Sequence, residues 1–254
     1  MLRVLTLNIN YYVEKHGPWS VRKNLIRTAL QSSEADIIAL QAVAKDPGVE
    51  EGLDQATQLS RLLPEYRHVF FQAAATHPDG REEGSAILSR LPFAACEALK
   101  LTRRPNLDDQ TERALLHARF DLPAGPLHLF NAHFSWIEEQ TSDNLDQAIP
   151  YMRAFEGMGL LVGDLNTPST SRLLERFRQA GWTDAWAELH PHEEGLTFES
   201  NQPSIRIDYA WLNASLKPYL QSIEIVKTGR EAEGERLSDH LGLLASFSVG
   251  DQAQ

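Results

Sequence analysis

Carboxylates, amides and imidazoles recur in this chain at one kind of place, the C-terminal end of a short apolar run. Leu5-Thr6-Leu7 ends in Asn8, and Ile38-Ala39-Leu40 ends in Gln41. Leu129-Phe130-Asn131-Ala132 leads to His133, while Leu161-Val162-Gly163 leads to Asp164 and, two residues on, Asn166. Asp208 lies inside the apolar run Ile205–Trp211, and Ser238-Asp239-His240 supplies a carboxylate and an imidazole before the last run. Oxygen donors and neutral imidazole suit a hard divalent cation such as Mg²⁺ together with a phosphate. Strand tips at one sheet edge form a cleft, so groups placed in this way can converge.

Taken singly, each residue has a simpler role. An Asn at a strand end is most often a turn residue. Asp164 and Asn166 are equally well read as caps of a helix beginning near Pro168. Asp208 is harder to dismiss, because a carboxylate in a buried strand needs a partner. Asp239-His240 alone would be a surface pair. Six such features in one order share a single explanation, a phosphate-handling cleft.

The elements that must position these groups are legible in outline. Apolar runs of strand length occur at Val4–Leu7, Ile37–Leu40, Val69–Phe71, Ala86–Leu88, Leu115–Phe120, Leu127–Phe130, Leu160–Val162, Ile205–Trp211 and Leu241–Phe247. Val21, Leu25, Ala29 and Leu30 predict a helix behind a Ser20 cap, and Leu173, Leu174 and Phe177 predict another between Pro168 and Gly181. Strands and helices in this alternation, with consecutive strands in the middle, imply a layered α/β sandwich. The cleft candidates run from Asn8 to His240, so the expectation is one domain over residues 1–254.

Composition excludes other chemistry. The chain has 254 residues with 24 Lys+Arg against 35 Asp+Glu, a formal charge of −11, which disfavours wrapping long nucleic acid by charge alone. A single cysteine, Cys96, removes internal disulfides and thiolate metal sites. No apolar run is long enough to span a bilayer, and Met1–Thr6 reads as a strand rather than an export signal, so a cytoplasmic location is expected. There is no Gly-x-Ser-x-Gly elbow, no Gly-Lys-Ser/Thr phosphate loop and no His-Glu-x-x-His. Gly157, Gly159 and Gly163 do not open a helix after a strand, and His190-Pro191-His192 lacks a third ligand at a suitable spacing. Arg81–Glu83, Arg103–Gln110 and Gly229–Glu235 read as solvated loops.

The set as a whole resembles the endonuclease/exonuclease/phosphatase superfamily. The resemblance runs through Thr6-Leu7-Asn8, Asp36–Gln41, Gly84–Arg90, Asn131-Ala132-His133, Gly163-Asp164-Leu165-Asn166, Gly181–Ala185 and Arg206-Ile207-Asp208-Tyr209 to Ser238-Asp239-His240. It implies a four-layer α/β/β/α sandwich of the deoxyribonuclease I type and metal-dependent hydrolysis of a phosphoester. It further implies that Asn8 and Asp239 serve the cation, Mg²⁺ or in its place Mn²⁺. Asp164 and Asn166 would position water and phosphoryl oxygens, His240 would act on the phosphoryl group with Asp208 fixing its tautomer, and His133 would meet a phosphate oxygen or the leaving group. His133 stands where the exonuclease III-like abasic endonucleases have tyrosine, and Leu196-Thr197-Phe198-Glu199 replaces their Thr-Trp-Trp stretch. The resemblance therefore points to the branch of deoxyribonuclease I, sphingomyelinases, tyrosyl-DNA phosphodiesterase and phosphoinositide phosphatases.

The pattern is broken at one position. Where the superfamily has a metal-binding glutamate after Leu-Gln, this chain has Ala42. Loss of a carboxylate beside a dication removes several kcal/mol of gross attraction, on the order of what one close charge pair supplies. The otherwise complete motif set favours a deliberate replacement that silences the enzyme. A natural chain that borrows Asp46, and a catalytically dead phosphate- or nucleic-acid-binding protein, are the alternatives. Arg113, Tyr11 and Trp19 are candidates to contact substrate, although Trp19 packing on the Val21–Leu30 helix is the simpler role; Arg103 and Arg104 read as solvated. The substrate would be nucleic acid, a phospholipid head group or a small phosphodiester, and the sequence does not choose among them.

Overall fold

The computed structural model describes residues 1–226 and 235–249. One six-stranded sheet contains β1 (Leu2–Asn8), β2 (Ile37–Lys45), β3 (His68–Thr76), β4 (Glu82–Ser89), β11 (Leu220–Val226) and β12 (Gly242–Phe247), ordered β11-β12-β1-β2-β4-β3. The other contains β5 (Ala95–Leu101), β6 (Arg113–Leu122), β7 (Gly125–His133), β8 (Met158–Asp164), β9 (Trp182–Asp184) and β10 (Asp208–Asn213), ordered β5-β6-β7-β8-β10-β9. Helices α1 (Trp19–Ser33) and α2 (Gln55–Leu62) cover the first sheet, and α3 (Glu138–Arg153) and α4 (Glu175–Gln179) cover the second. A short α5 (Ala185–Leu189) buries Ala185 and Trp186 against the central core.

Burial on both faces explains why the central strands are apolar without alternation. Val4, Ala39 and Ile87 meet Leu116, Leu129, Leu160 and Ala210 between the sheets. Their strand neighbours Leu5, Leu40 and Leu88 turn outward onto Ile26, Leu30 and Leu59. On the far side Leu115, Phe130 and Trp211 pack with Leu145, Ile149 and Phe177. The result is the expected four-layer α/β/β/α sandwich. No helix among the described residues is long and apolar enough to cross a membrane.

Strand direction determines where the polar tips meet. β1 and β2 run parallel on either side of α1, and β7 and β8 run parallel on either side of α3, so each pair delivers its C-terminal residues to one edge. Asn8 thus pairs with Gln41, and His133 with Asp164. β10 runs antiparallel to β8 and starts where β8 ends, which sets Asp208 opposite Asp164. Gln41 and Asn131, both fully buried, tie the sheets together just below this edge. Gln41 Nε2 donates to Asn131 Oδ1 at 2.7 Å, and Asn131 Nδ2 donates to the carbonyls of Leu40 and Ala86, both at 3.0 Å.

Several local expectations change. Pro18, not Ser20, precedes α1, and its buried residues are Trp19, Arg22, Ile26, Leu30 and Ser33, with Leu25 and Ala29 at the margin. No helix begins at Pro168: Ser171 caps a single 3-10 turn that leads into α4, so Asp164 and Asn166 are not helix caps. Strands β5, β9 and β11 were not evident from apolar runs. All three lie at or next to sheet edges, where one-sided packing leaves a mixed polar pattern. The polar segment Gly229–Glu235 lies, up to residue 234, outside the described residues.

Candidate active site

Asp164 is the hub of the sheet edge, 1% exposed. Its Oδ2 accepts from Asn8 Nδ2 at 2.9 Å, and its Oδ1 accepts from the Asn166 backbone N–H at 2.8 Å. Two imidazoles flank the same Oδ2, with His133 Nε2 at 3.5 Å and His240 Nε2 at 3.7 Å. Asn166 adopts a left-handed φ of 49°, and its Nδ2 donates to the Phe134 carbonyl at 2.9 Å. That conformation turns the chain sharply after β8 and keeps the amide beside the carboxylate.

His240 and Asp208 form the second unit. Nδ1 of His240 lies 3.0 Å from Asp208 Oδ2, and Phe198 packs on the imidazole with ring centroids 5.0 Å apart. Burial by itself disfavours a charged His240, but the charges of Asp208 and Asp164 outweigh it and push the imidazolium up to about 9. His133 is held well below its ordinary value by burial, with Arg113 and His240 adding repulsion. Burial raises the Asp164 carboxyl, opposed by His240 and reinforced by Asp208. The two histidines beside one carboxylate therefore differ in charge at neutral pH, His240 cationic and His133 neutral.

Asp164, Asp208 and His240 offer ligand atoms within 4.8 Å of one another, a grouping able to hold a divalent ion. A protonated His240 competes for that place, since its charge already offsets part of that of the two carboxylates. The other possible cation position is near Asp239. Ser238 Oγ donates to the Asn8 carbonyl at 2.6 Å and brings Asp239 beside the end of β1. Asp239 Oδ2 lies 3.5 Å from His16 Nε2. Ala42 is buried at a bulge where β2 shifts register between Leu40 and Val43, with φ 51°, and contributes no ligand atom. Asn8 is committed on both amide atoms, because its Oδ1 accepts from Asn10 N–H at 2.9 Å. The oxygen donors suit a hard cation, but the protein supplies one carboxylate there, so the fit depends on water and substrate oxygens for the rest of the coordination.

The substrate-contact candidates separate. Tyr11 and Arg113 line a small recess with His133, Ser85 and Gly84. Arg113 is buried, its NH2 nitrogen donates to Asp109 Oδ2 at 3.1 Å, and its Nε has no hydrogen-bond partner among the described residues. Burial pushes the Tyr11 phenol up to about 12, so it stays protonated. Trp19 does not reach the cleft: its Nε1 donates to Gln58 Oε1 at 2.6 Å and its ring meets Tyr12 edge-on at 5.5 Å, in the core under α1 and α2. Arg103 bonds Gln110, and Arg104 pairs with Asp143 on the surface, in keeping with solvated roles. Asp46 accepts from the Gly48 N–H at 2.8 Å in a turn beyond β2.

Three contributors were not evident in the sequence: His16, at the end of a 3-10 turn, Asp109, in the polar segment before β6, and Arg236, two residues before the Ser238-Asp239-His240 motif. His16 is 1% exposed and its Nδ1 accepts from Arg236 Nε at 2.9 Å. A histidine two residues before the Pro18 that opens α1 carries no local sign of being folded under the cleft. Its burial depends on a loop 220 residues away.

Comparison with known proteins agrees with this architecture. The chain superposes on an endonuclease/exonuclease/phosphatase from Beutenbergia cavernae at TM-score 0.76 and 21% identity, covering 98% of this chain and 72% of that one. A humanised D. rerio TDP2 carrying 14 mutations gives 0.74 at 17% identity, covering 97% and 98%. A Bacteroides thetaiotaomicron mannosyl-6-phosphatase gives 0.76 at 18% identity, covering 97% and 99%. No curated protein sequence matches the chain. The Endonuclease/Exonuclease/phosphatase family matches residues 5–240, and with Asn8 and His240, from near the two ends of that match, meeting at one oxygen of Asp164, the chain belongs to that family of phosphoester hydrolases.

Proposed function

We propose that the cleft around Asp164 binds a phosphoester and hydrolyses it with the help of a weakly held divalent cation. The observation that carries this reading is the arrangement of His240 between Asp208 and Asp164, with neutral His133 on the other side. A cationic imidazole answers the charge of a phosphoryl oxygen, and its Nδ1 bond to Asp208 fixes which nitrogen faces the reaction. Asp164, with a raised carboxyl and donors on both oxygens, is placed to orient an attacking water. Neutral His133 is suited to accept or return a proton at Nε2. Arg113, with an unpaired Nε beside His133, can meet a second phosphoryl oxygen. Mg²⁺ or Mn²⁺ at Asp239 would polarise the phosphoryl group when bound. With alanine at position 42 the protein supplies few anionic ligands, so turnover is slow and leans on substrate oxygens.

The test compares hydrolysis of bis-p-nitrophenyl phosphate and p-nitrophenyl phosphate, with Mn²⁺, by the wild-type chain, Ala42→Glu and Asp164→Asn. Hydrolysis that Asp164→Asn lowers at least a hundredfold supports the reading. Binding without turnover in both the wild type and Ala42→Glu would favour the binding-only alternative that Ala42 allows.

A further inference from the structure

Trp136 is the aromatic residue among the large hydrophobic side chains left exposed, at 57%. It lies three residues beyond His133, in the loop between β7 and α3. Exposure of an indole is normally a sign of a mobile segment or a surface awaiting a partner. Mobility is opposed by the bonds on both sides of this residue. The Phe134 carbonyl accepts from Asn166 Nδ2 at 2.9 Å, and the Ser135 N–H donates to Asn144 Oδ1 at 3.1 Å. Ser135 Oγ donates to Asp109 Oδ2 at 2.6 Å, and the Ser135 carbonyl accepts from Thr141 Oγ1 at 2.6 Å. Ile137 N–H donates back to Ser135 Oγ at 3.1 Å. The indole is thus exposed on a backbone pinned to Asn166, to Asp109 and to α3.

Trp136 walls a cleft of about 370 Å³, a volume in the range of small-molecule sites. Asn166 also lines it, and its backbone N–H donates to Asp164 Oδ1, so the cleft adjoins the phosphate-handling edge. Thr170, Ser171, Arg172 and Glu138 contribute to its polar lining. Arg172 makes no ion pair among the described residues. The lining combines one flat apolar face, hydroxyls, a carboxylate and a guanidinium, which are the groups that stack on a heteroaromatic ring and bond its polar rim.

We propose that this cleft is a subsite that stacks a nucleobase carried by the phosphoester substrate. The inference rests on the reading of the Asp164 edge as a phosphoester site, because Asn166 is common to both. An indole carried on a pinned backbone has only its two side-chain torsions to fix on binding, so it contributes affinity for the ring and leaves the phosphate contacts unchanged.

Calorimetric titration of adenosine 5′-monophosphate and ribose 5-phosphate, which differ only by the base, tests it. The wild-type chain is expected to bind the nucleotide roughly tenfold more tightly than the sugar phosphate. Trp136→Ala should bring the two affinities together without changing that for ribose 5-phosphate, and Trp136→Phe should keep most of the difference. Equal affinities in the wild type, or a preference that survives Trp136→Ala, would overturn the subsite while leaving the phosphate reading intact. Failure of the wild type to bind ribose 5-phosphate and the nucleotide alike would overturn both.

Discussion

His240 holds its Nδ1 3.0 Å from Asp208 Oδ2, and this leaves Nε2 as the ring nitrogen that faces Asp164. The register of β10 against β8 makes the arrangement possible, since it sets the two carboxylates opposite each other with one imidazole to share. Asp208→Ala should therefore misdirect the ring more than it alters the phosphate contacts. We expect kcat to fall by about 10² or more, with KM changed less than threefold, on the scale of a lost orienting carboxylate. A kcat that is unchanged would make the pair structural only.

The same pair gives a stability signature. An unfolded histidine titrates near 6.5, whereas His240 in the folded chain is pushed up to about 9. A folded-state value above the unfolded one gives stability that is fully present below pH 6.5 and lost as the pH rises through 9. The two values differ by enough to account for about 3 kcal/mol. Asp164, raised to about 6, titrates below this window. Urea unfolding between pH 6.5 and pH 9.5 should show the decline, and Asp208→Asn should flatten it; parallel curves would deny the pair its charge.

Much of this site is legible before any coordinates, and the reason is topological. Two parallel βαβ units and one antiparallel return force Asn8, His133, Asp164 and Asp208 to a common edge, so strand-end position alone carries the information. Arg113 is different: its partner Asp109 is only four residues away, but it falls at the end of the polar segment Arg103–Gln110 that reads as solvated, and nothing local shows that both side chains are buried. Trp19 is the opposite case: proximity to Asn8 in sequence offered it to the cleft, but the amphipathic face of α1 takes it into the core, the simpler of its two expected roles. His16 was invisible because nothing local distinguishes a buried loop histidine from a solvated one.

His16 has a specific part to play at Asp239. Arg236 Nε donates to His16 Nδ1, so the neutral ring carries its proton on Nε2, which lies 3.5 Å from Asp239 Oδ2 and has no hydrogen-bond partner among the described residues. A nitrogen that keeps its proton orients a carboxylate and does not bind a metal itself. His16→Ala should weaken Mn²⁺ binding, measured by its electron paramagnetic resonance, by about tenfold, the effect of losing a donor placed beside a ligand. His16→Gln, which retains a donor, should recover part of the loss. Wild-type affinity in His16→Ala would reduce His16 to packing.

Ala42 concentrates the question of activity into one side chain. It occupies a bulge with a left-handed φ of 51°, its carbonyl accepts from Tyr11 N–H at 2.7 Å, and the Gln41 carbonyl beside it accepts from Ile9 N–H at 3.0 Å. The backbone there is fixed by the segment that follows β1 regardless of the side chain, so a glutamate introduced at this position would leave from an already positioned Cα. Ala42→Glu would give the cation near Asp239 a second carboxylate, and one or two carboxylates plus water and phosphate oxygens are what Mg²⁺ ordinarily takes. Mg²⁺ affinity without substrate should rise, and Mg²⁺-dependent hydrolysis should increase by about 10², which needs only about 2.7 kcal/mol of barrier. The left-handed backbone sets a control: Ala42→Gly relaxes the same φ without adding a ligand, so it should raise stability by up to about 1 kcal/mol and leave metal affinity unchanged. Equal gains in activity from glycine and glutamate would trace the gain to relief of backbone strain. Full activity in the wild-type chain would place the cation's second carboxylate elsewhere than position 42.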